Sequence, residues 1–91
     1  MTVTVTVKVK VLYFASLREQ LGTSGEEVEL PEGVRTMAQL RSHLRSRGGS
    51  YELALSDRKL LRMALNQDMA QPTAPLKPGD EVAFFPPVTG G

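Results

Sequence analysis

Over residues 2–14 the chain alternates between two faces. Val3, Val5, Val7, Val9, Val11 and Tyr13 share one side, and Thr2, Thr4, Thr6, Lys8 and Lys10 share the other. A period of two carried by β-branched residues predicts a strand with one buried face and one wet face. Leu12 and Phe14 then interrupt the polar side. Either the far end of this strand is covered on both faces, or Phe14 meets a partner.

The rest of the chain is punctuated around that strand. Residues 15–21 lose the alternation and carry helix formers, with Ser16 placed to cap a short helix and Gly22 to end it. Thr23-Ser24-Gly25 reads as a turn, and Glu26 to Leu30 as a second strand with Val28 and Leu30 on one face. Thr36 with Gln39 three residues on is a capping box. Met37, Leu40 and Leu44 make one apolar stripe on the helix it opens, Arg41 and Arg45 face solvent, and Gly48-Gly49 ends it. A weaker helical segment covers 50–55, and alternation over 59–66 predicts a strand. Asn66-Gln67-Asp68 reads as a turn and 69–71 as a brief edge strand limited by Pro72 and Pro75. Lys77-Pro78-Gly79-Asp80 has Pro then Gly at the centre, as a type II turn wants. Glu81 to Phe85 is the last strand, stopped by Pro86-Pro87, which cannot donate to a ladder.

Two strands, a crossing helix and further strands make an α+β fold with the main helix packed on one face of a mixed sheet. A β-grasp (ubiquitin-like) arrangement satisfies this order, with the first and last strands side by side. The chain has 91 residues, enough for one modest core and little room for a deep catalytic cleft. We therefore expect one domain over 1–85 and a flexible tail over 86–91. Eleven basic residues nearly balance 10 acidic ones, which offers no field for nucleic acid or membrane. No apolar run approaches the roughly 20 residues that span a bilayer, and the N-terminus alternates instead of forming a leader, so a cytoplasmic protein is expected. The absence of cysteine excludes disulfides, zinc-thiolate sites and thiol nucleophiles. No phosphate loop, metal-ligand cluster or nucleophile motif is present. His43 stands alone, and Arg41, Arg45, Arg47, Arg58, Lys59 and Arg62 make a basic stretch that reads as solvated surface or as a contact for an acidic patch.

The tail is the distinctive feature. No charged side chain occurs from Val82 to Gly91. The six residues beyond Phe85 reach roughly 20 Å when extended at about 3.3 Å each, enough to enter another protein's cleft. Pro86 and Pro87 stiffen the stem and reduce the entropy lost on docking. Gly90 and Gly91 lack Cβ atoms and permit a narrow channel. The terminal carboxylate, with a pKa of about 3.5, is ionised and a poor electrophile. It needs activation, for example as an acyl-adenylate, before a sulfur donor can convert it to a thiocarboxylate. Phe84 and Phe85 point to opposite faces, one for the core and one available for a partner, and Phe85 is the expected contact.

The run Asp80-Glu81-Val82-Ala83-Phe84-Phe85-Pro86-Pro87-Val88-Thr89-Gly90-Gly91 closely resembles the end of the small subunit of molybdopterin synthase, the MoaD family. Val11-Leu12-Tyr13-Phe14-Ala15, Leu60-Leu61 and Asn66-Gln67 also resemble that family at similar spacing. The resemblance implies a ubiquitin-like sulfur carrier, a donor subunit without catalytic side chains of its own and with no bound cofactor or metal. Gly91 would be adenylated by an E1-like enzyme using ATP, then thiocarboxylated with sulfur from a sulfurtransferase. The tail, with Val88, Thr89 and Gly90, would enter the large subunit, where the sulfur passes to cyclic pyranopterin monophosphate. The family's apolar contact positions map onto Phe14, Met69 and Phe85, with Met69 replacing the more usual leucine. Another carrier of the same fold, such as a thiamine-type one, a lysine-conjugated modifier, or an interaction module with an inert tail, are the alternatives.

Overall fold

A computed structural model of the chain describes residues 7–56, 58 and 60–87. The elements run β1 (Val7–Tyr13), α1 (Ser16–Leu21), β2 (Gly25–Leu30), α2 (Met37–Arg45), α3 (Ser50–Ala54), β3 (Arg62–Leu65), β4 (Asp68–Met69) and β5 (Glu81–Phe85). Among the described residues the strands form one sheet in the order β2-β1-β5-β3-β4. β1 and β5 pair in parallel, from Lys10 opposite Glu81 to Tyr13 opposite Phe84, and the other pairs are antiparallel. This is the mixed β-grasp sheet, with the fifth strand in chain order at its centre.

The pleat sorts the residues as the alternation requires. Val9, Val11, Tyr13, Val28, Leu30, Met63, Val82 and Phe84 are buried on the face that receives Met37, Leu40 and Leu44 of α2 and Leu17 of α1. Tyr13 and Phe84, paired across the parallel ladder, stack with ring centroids 6.4 Å apart. Thr36 caps α2: its hydroxyl accepts from the Gln39 N–H, and the Gln39 side chain accepts from the Thr36 N–H. The next two orphan donors of that helix, Met37 N–H and Ala38 N–H, go to the carbonyls of Ala74 and Pro72, so the loop before β5 closes the helix N-terminus.

Four local expectations change. Ser16 is the first residue of α1 and makes no cap; Ala15 takes the N-cap position at φ 55°, because the chain must turn sharply out of β1. β3 begins at Arg62, not at 59, and Leu60 is exposed. Arg62 stands opposite Phe85, and the next residue of the partner strand is Pro86, which has no N–H to extend the ladder. β4 is Asp68–Met69 in place of 69–71. Arg41 is half-buried and its guanidinium donates to the carbonyls of Leu55 and Ser56. It is a tie between α2 and the end of α3.

Candidate functional site

The start of β5 is held by a compact polar network. Asp80 N–H donates to Lys77 carbonyl at 3.1 Å across a turn in which Gly79 has φ 83°, the value a type II turn requires. The Asp80 carboxylate accepts from Lys77 N–H at 2.7 Å and from the Asn66 amide at 3.0 Å. Glu81 N–H donates to the Asn66 side-chain oxygen at 2.9 Å. Asn66 and Gln67 themselves sit at φ 51° and 72°, the left-handed pair of a two-residue hairpin turn between β3 and β4. With β1 also bound through Gly79 N–H to Lys8 carbonyl and Lys10 N–H to Asp80 carbonyl, the register of β5 has no room to slip. A slip of one residue would exchange Phe84 and Phe85.

That register puts Phe84 in the core and leaves Phe85 half-exposed on the opposite, open face. Across that face runs a row of cross-strand neighbours, Leu12, Ala83, Ala64 and Met69. Leu12 reaches over Gly25, where a Cβ would meet the Leu12 side chain at 2.9 Å and the Val11 carbonyl at 2.8 Å. Phe14, one residue past β1, is 46% exposed, so α1 does not cover it; Met69 is 60% exposed. Phe14, Met69 and Phe85 therefore supply the large apolar side chains of one surface beside the end of β5. The last rung there is Phe14 N–H to Phe84 carbonyl at 3.2 Å. The tail leaves through Pro86 and Pro87, both half-buried, while Val88, Thr89, Gly90 and Gly91 lie outside the described residues, as do residues 1–6 at the far end.

One cluster had no signal in the sequence. The Glu26 carboxylate accepts hydrogen bonds from the hydroxyls of Tyr13 and Tyr51, both at 3.0 Å, and from Arg47 at 2.8 and 2.9 Å. Arg47 also lies over the Tyr51 ring, 4.8 Å from its centroid, and the two tyrosine rings meet edge to face. Partial burial pushes the Glu26 carboxyl up, but hydrogen bonds from Arg47, Tyr51 and Tyr13 outweigh it and hold the group below its ordinary value. Burial first, then the Glu26 charge, push the Tyr13 hydroxyl well above the usual phenol range. The cluster joins β1, β2, α3 and the segment after α2. Arg47 lies at the surface, and its charge is paired with Glu26.

Among the described residues no group of three or more His, Cys, Asp or Glu is placed to hold a metal, and no helix is long and apolar enough to cross a membrane. What the geometry offers is a launch point, held in register, for a tail without charged side chains next to an apolar face. The family model for ThiS matches residues 11–91, from within β1 through to the tail. The chain belongs to the ThiS family. Its relatives narrow this to the MoaD branch expected from the tail. It is 48% identical over 83 residues to the molybdopterin synthase sulfur carrier subunit of Escherichia coli, covering 91% of this chain and 99% of that one. A solved structure described as subunit 1 of a molybdopterin converting factor from Pyrococcus furiosus superposes with a TM-score of 0.74 at 36% identity, covering 90% and 99% of the two chains. A Helicobacter pylori complex of subunits 1 and 2 of molybdopterin-converting factor contains a chain with the same fold, at a TM-score of 0.60 and 24% identity over 93% and 100% of the chains. Family membership thus agrees with the β-grasp sheet built from the element order.

Proposed function

We propose that this ThiS-family chain is the sulfur carrier subunit of molybdopterin synthase. The observation that carries the proposal is where the central strand ends: β5 runs out through Pro86 and Pro87 beside the exposed Phe14 and Met69 and the half-exposed Phe85. The Escherichia coli relative that matches across 99% of its own length bears this function in its name, and the Helicobacter pylori protein of the same fold is found in complex with a subunit 2. In the proposed cycle an E1-like enzyme first binds the carrier. The Gly91 carboxylate attacks the α-phosphate of ATP, pyrophosphate leaves, and an acyl-adenylate forms. A sulfurtransferase then supplies sulfur at the sulfide level, which attacks the acyl carbon, displaces AMP and leaves a thiocarboxylate on Gly91. The open face docks on the large subunit, and the stiffened arm carries the sulfur to cyclic pyranopterin monophosphate. The side chains that catalyse the transfer belong to the large subunit. The carrier contributes a terminus, an arm and a docking face.

The test is intact mass after incubation with ATP, an activating enzyme and a sulfur donor. One oxygen should be exchanged for sulfur, located at Gly91 by fragmentation. Deleting Gly91, or adding one residue after it, should abolish sulfur transfer with the circular dichroism and melting temperature unchanged. Cofactor synthesis that persists in either variant would sink the carrier reading.

A further inference from the structure

The large apolar side chains most exposed among the described residues are Phe14, Leu53, Leu60 and Met69. Of these four, only methionine can change from apolar to polar by a covalent step that leaves the sequence unaltered. Its surroundings single it out further. Met37 is fully buried in the first turn of α2, and Met63 is 7% exposed beneath the sheet, whereas Met69 is 60% exposed. With no cysteine in the chain, no thiol competes for an oxidant. Met69 stands on the short edge strand β4, between two open grooves. One is bordered by Asn66, Asp68 and Thr73, the other by Leu61, Arg62 and Pro72. A small oxidant therefore reaches the residue from either side.

The position matters as much as the access. In the row Leu12, Ala83, Ala64, Met69 the two middle residues are alanines, so the apolar bulk comes from the two ends. Ala64 is buried although it lies on the open face, which places it in the lee of its cross-strand neighbour Met69.

We propose that Met69 is an oxidation-sensitive contact: a hydroperoxide converts its thioether to the sulfoxide in the free carrier, and the oxidised face no longer docks on the large subunit. The inference rests on the docking reading given above. In the step itself a sulfur lone pair attacks one peroxide oxygen. The O–O bond breaks, an S–O bond forms, and the second oxygen leaves as water when the oxidant is hydrogen peroxide. Sulfur is oxidised by two electrons and the peroxide is reduced by two. The product is a strong hydrogen-bond acceptor on a surface that a partner would cover with apolar groups, where it has no donor to accept from. Burying such a group unpaired weakens an interface by about tenfold or more. A methionine sulfoxide reductase with a dithiol reverses the change, with the oxygen leaving as water and the dithiol becoming a disulfide.

The experiment treats the full chain with limiting hydrogen peroxide and maps the added oxygen by peptide. Mapping is essential, because exchange of oxygen for sulfur at Gly91 changes the mass by nearly the same amount. Met69 should be modified well ahead of Met37 and Met63. The oxidised chain, titrated into the large subunit, should bind at least about tenfold more weakly, and reductase treatment should restore binding. Met69→Leu keeps the volume and removes the sulfur. Whatever its own starting affinity, that affinity should not change on peroxide treatment, which also controls for oxidation at Met1. Equal oxidation of Met37 or Met63, or unchanged binding by chain oxidised at Met69, would overturn the inference alone. If the untreated chain fails to bind the large subunit, the docking reading falls and this inference with it.

Discussion

Glu26→Ala should be the most damaging single change outside the apolar core. Tyr13 is fully buried, and its hydroxyl donates to the Glu26 carboxylate. Without that acceptor the hydroxyl remains desolvated and unpaired, a cost of about 1–3 kcal/mol. The ion pair with Arg47 involves side chains that are 35% and 23% exposed, so its loss contributes only about 0.2–1 kcal/mol. Tyr51 is half-exposed and recovers a hydrogen bond from water. The sum is about 1–4 kcal/mol, dominated by one hydroxyl group. In urea, with a slope of about 1.5 kcal/mol/M for a small domain, the midpoint should fall by roughly 0.8–2.7 M. The double-mutant cycle isolates the cause. Tyr13→Phe alone should cost about 1 kcal/mol, yet in the Glu26→Ala background it should be neutral or stabilising, because it removes the orphaned hydroxyl. A Glu26→Ala cost below about 0.5 kcal/mol, or additive costs in the cycle, would refute the reasoning.

The same cluster sets a pH dependence at both ends. The Glu26 carboxyl is held below its ordinary value of 4.5, so its contribution is complete above that value and is lost as pH falls below it. The Tyr13 hydroxyl is pushed above its ordinary value of 10.0, so stability is present below that value and declines as pH rises past it. Urea midpoints measured across pH should therefore fall at both extremes, and Glu26→Gln should flatten the acid side. Phe84→Ala should cost about 3–5 kcal/mol in chemical unfolding. Phe85→Ala should cost far less and instead weaken binding to the large subunit in a calorimetric titration; equal affinity would remove Phe85 from the docking face. Ala15 and Gly49 occupy nearly the same backbone conformation, φ 55° and ψ −129° against φ 56° and ψ −130°. Ala15→Gly should stabilise or be neutral, and Gly49→Ala should destabilise by about 1–3 kcal/mol, each read from thermal melts.

The parts of the fold that the sequence makes legible are those governed by near neighbours. Alternation marks β1, β2 and β5, the Thr36–Gln39 spacing marks the start of α2, and Pro78-Gly79 marks the turn into β5. Where sequence reasoning goes astray, the deciding group lies elsewhere in the chain. β3 is short because Pro86, opposite its beginning, ends the ladder. Arg41 points inward because two carbonyls 14 and 15 residues away await it. The Glu26 cluster gathers partners 13, 21 and 25 positions distant, a spacing with no local period to detect. Of the candidate site, strand alternation tells that Phe84 and Phe85 turn to opposite faces, and the register fixed through Asn66 and Asp80 decides that Phe84 is the one turned inward. That Met69 joins the same face depends on β4 pairing with β3, which two residues of strand sequence do not announce.

The central place of β5 has a mechanical consequence. A pull on the tail is a pull along that strand, which is bonded to β1 on one side and β3 on the other. The rungs run across the direction of force, so they are loaded in shear and share the load together. An arm hung from β4 at the edge would load rungs on one side only, and only two residue pairs of them. Mounted where it is, the arm can be gripped, held and drawn out of a tight cleft while the domain behind it stays folded.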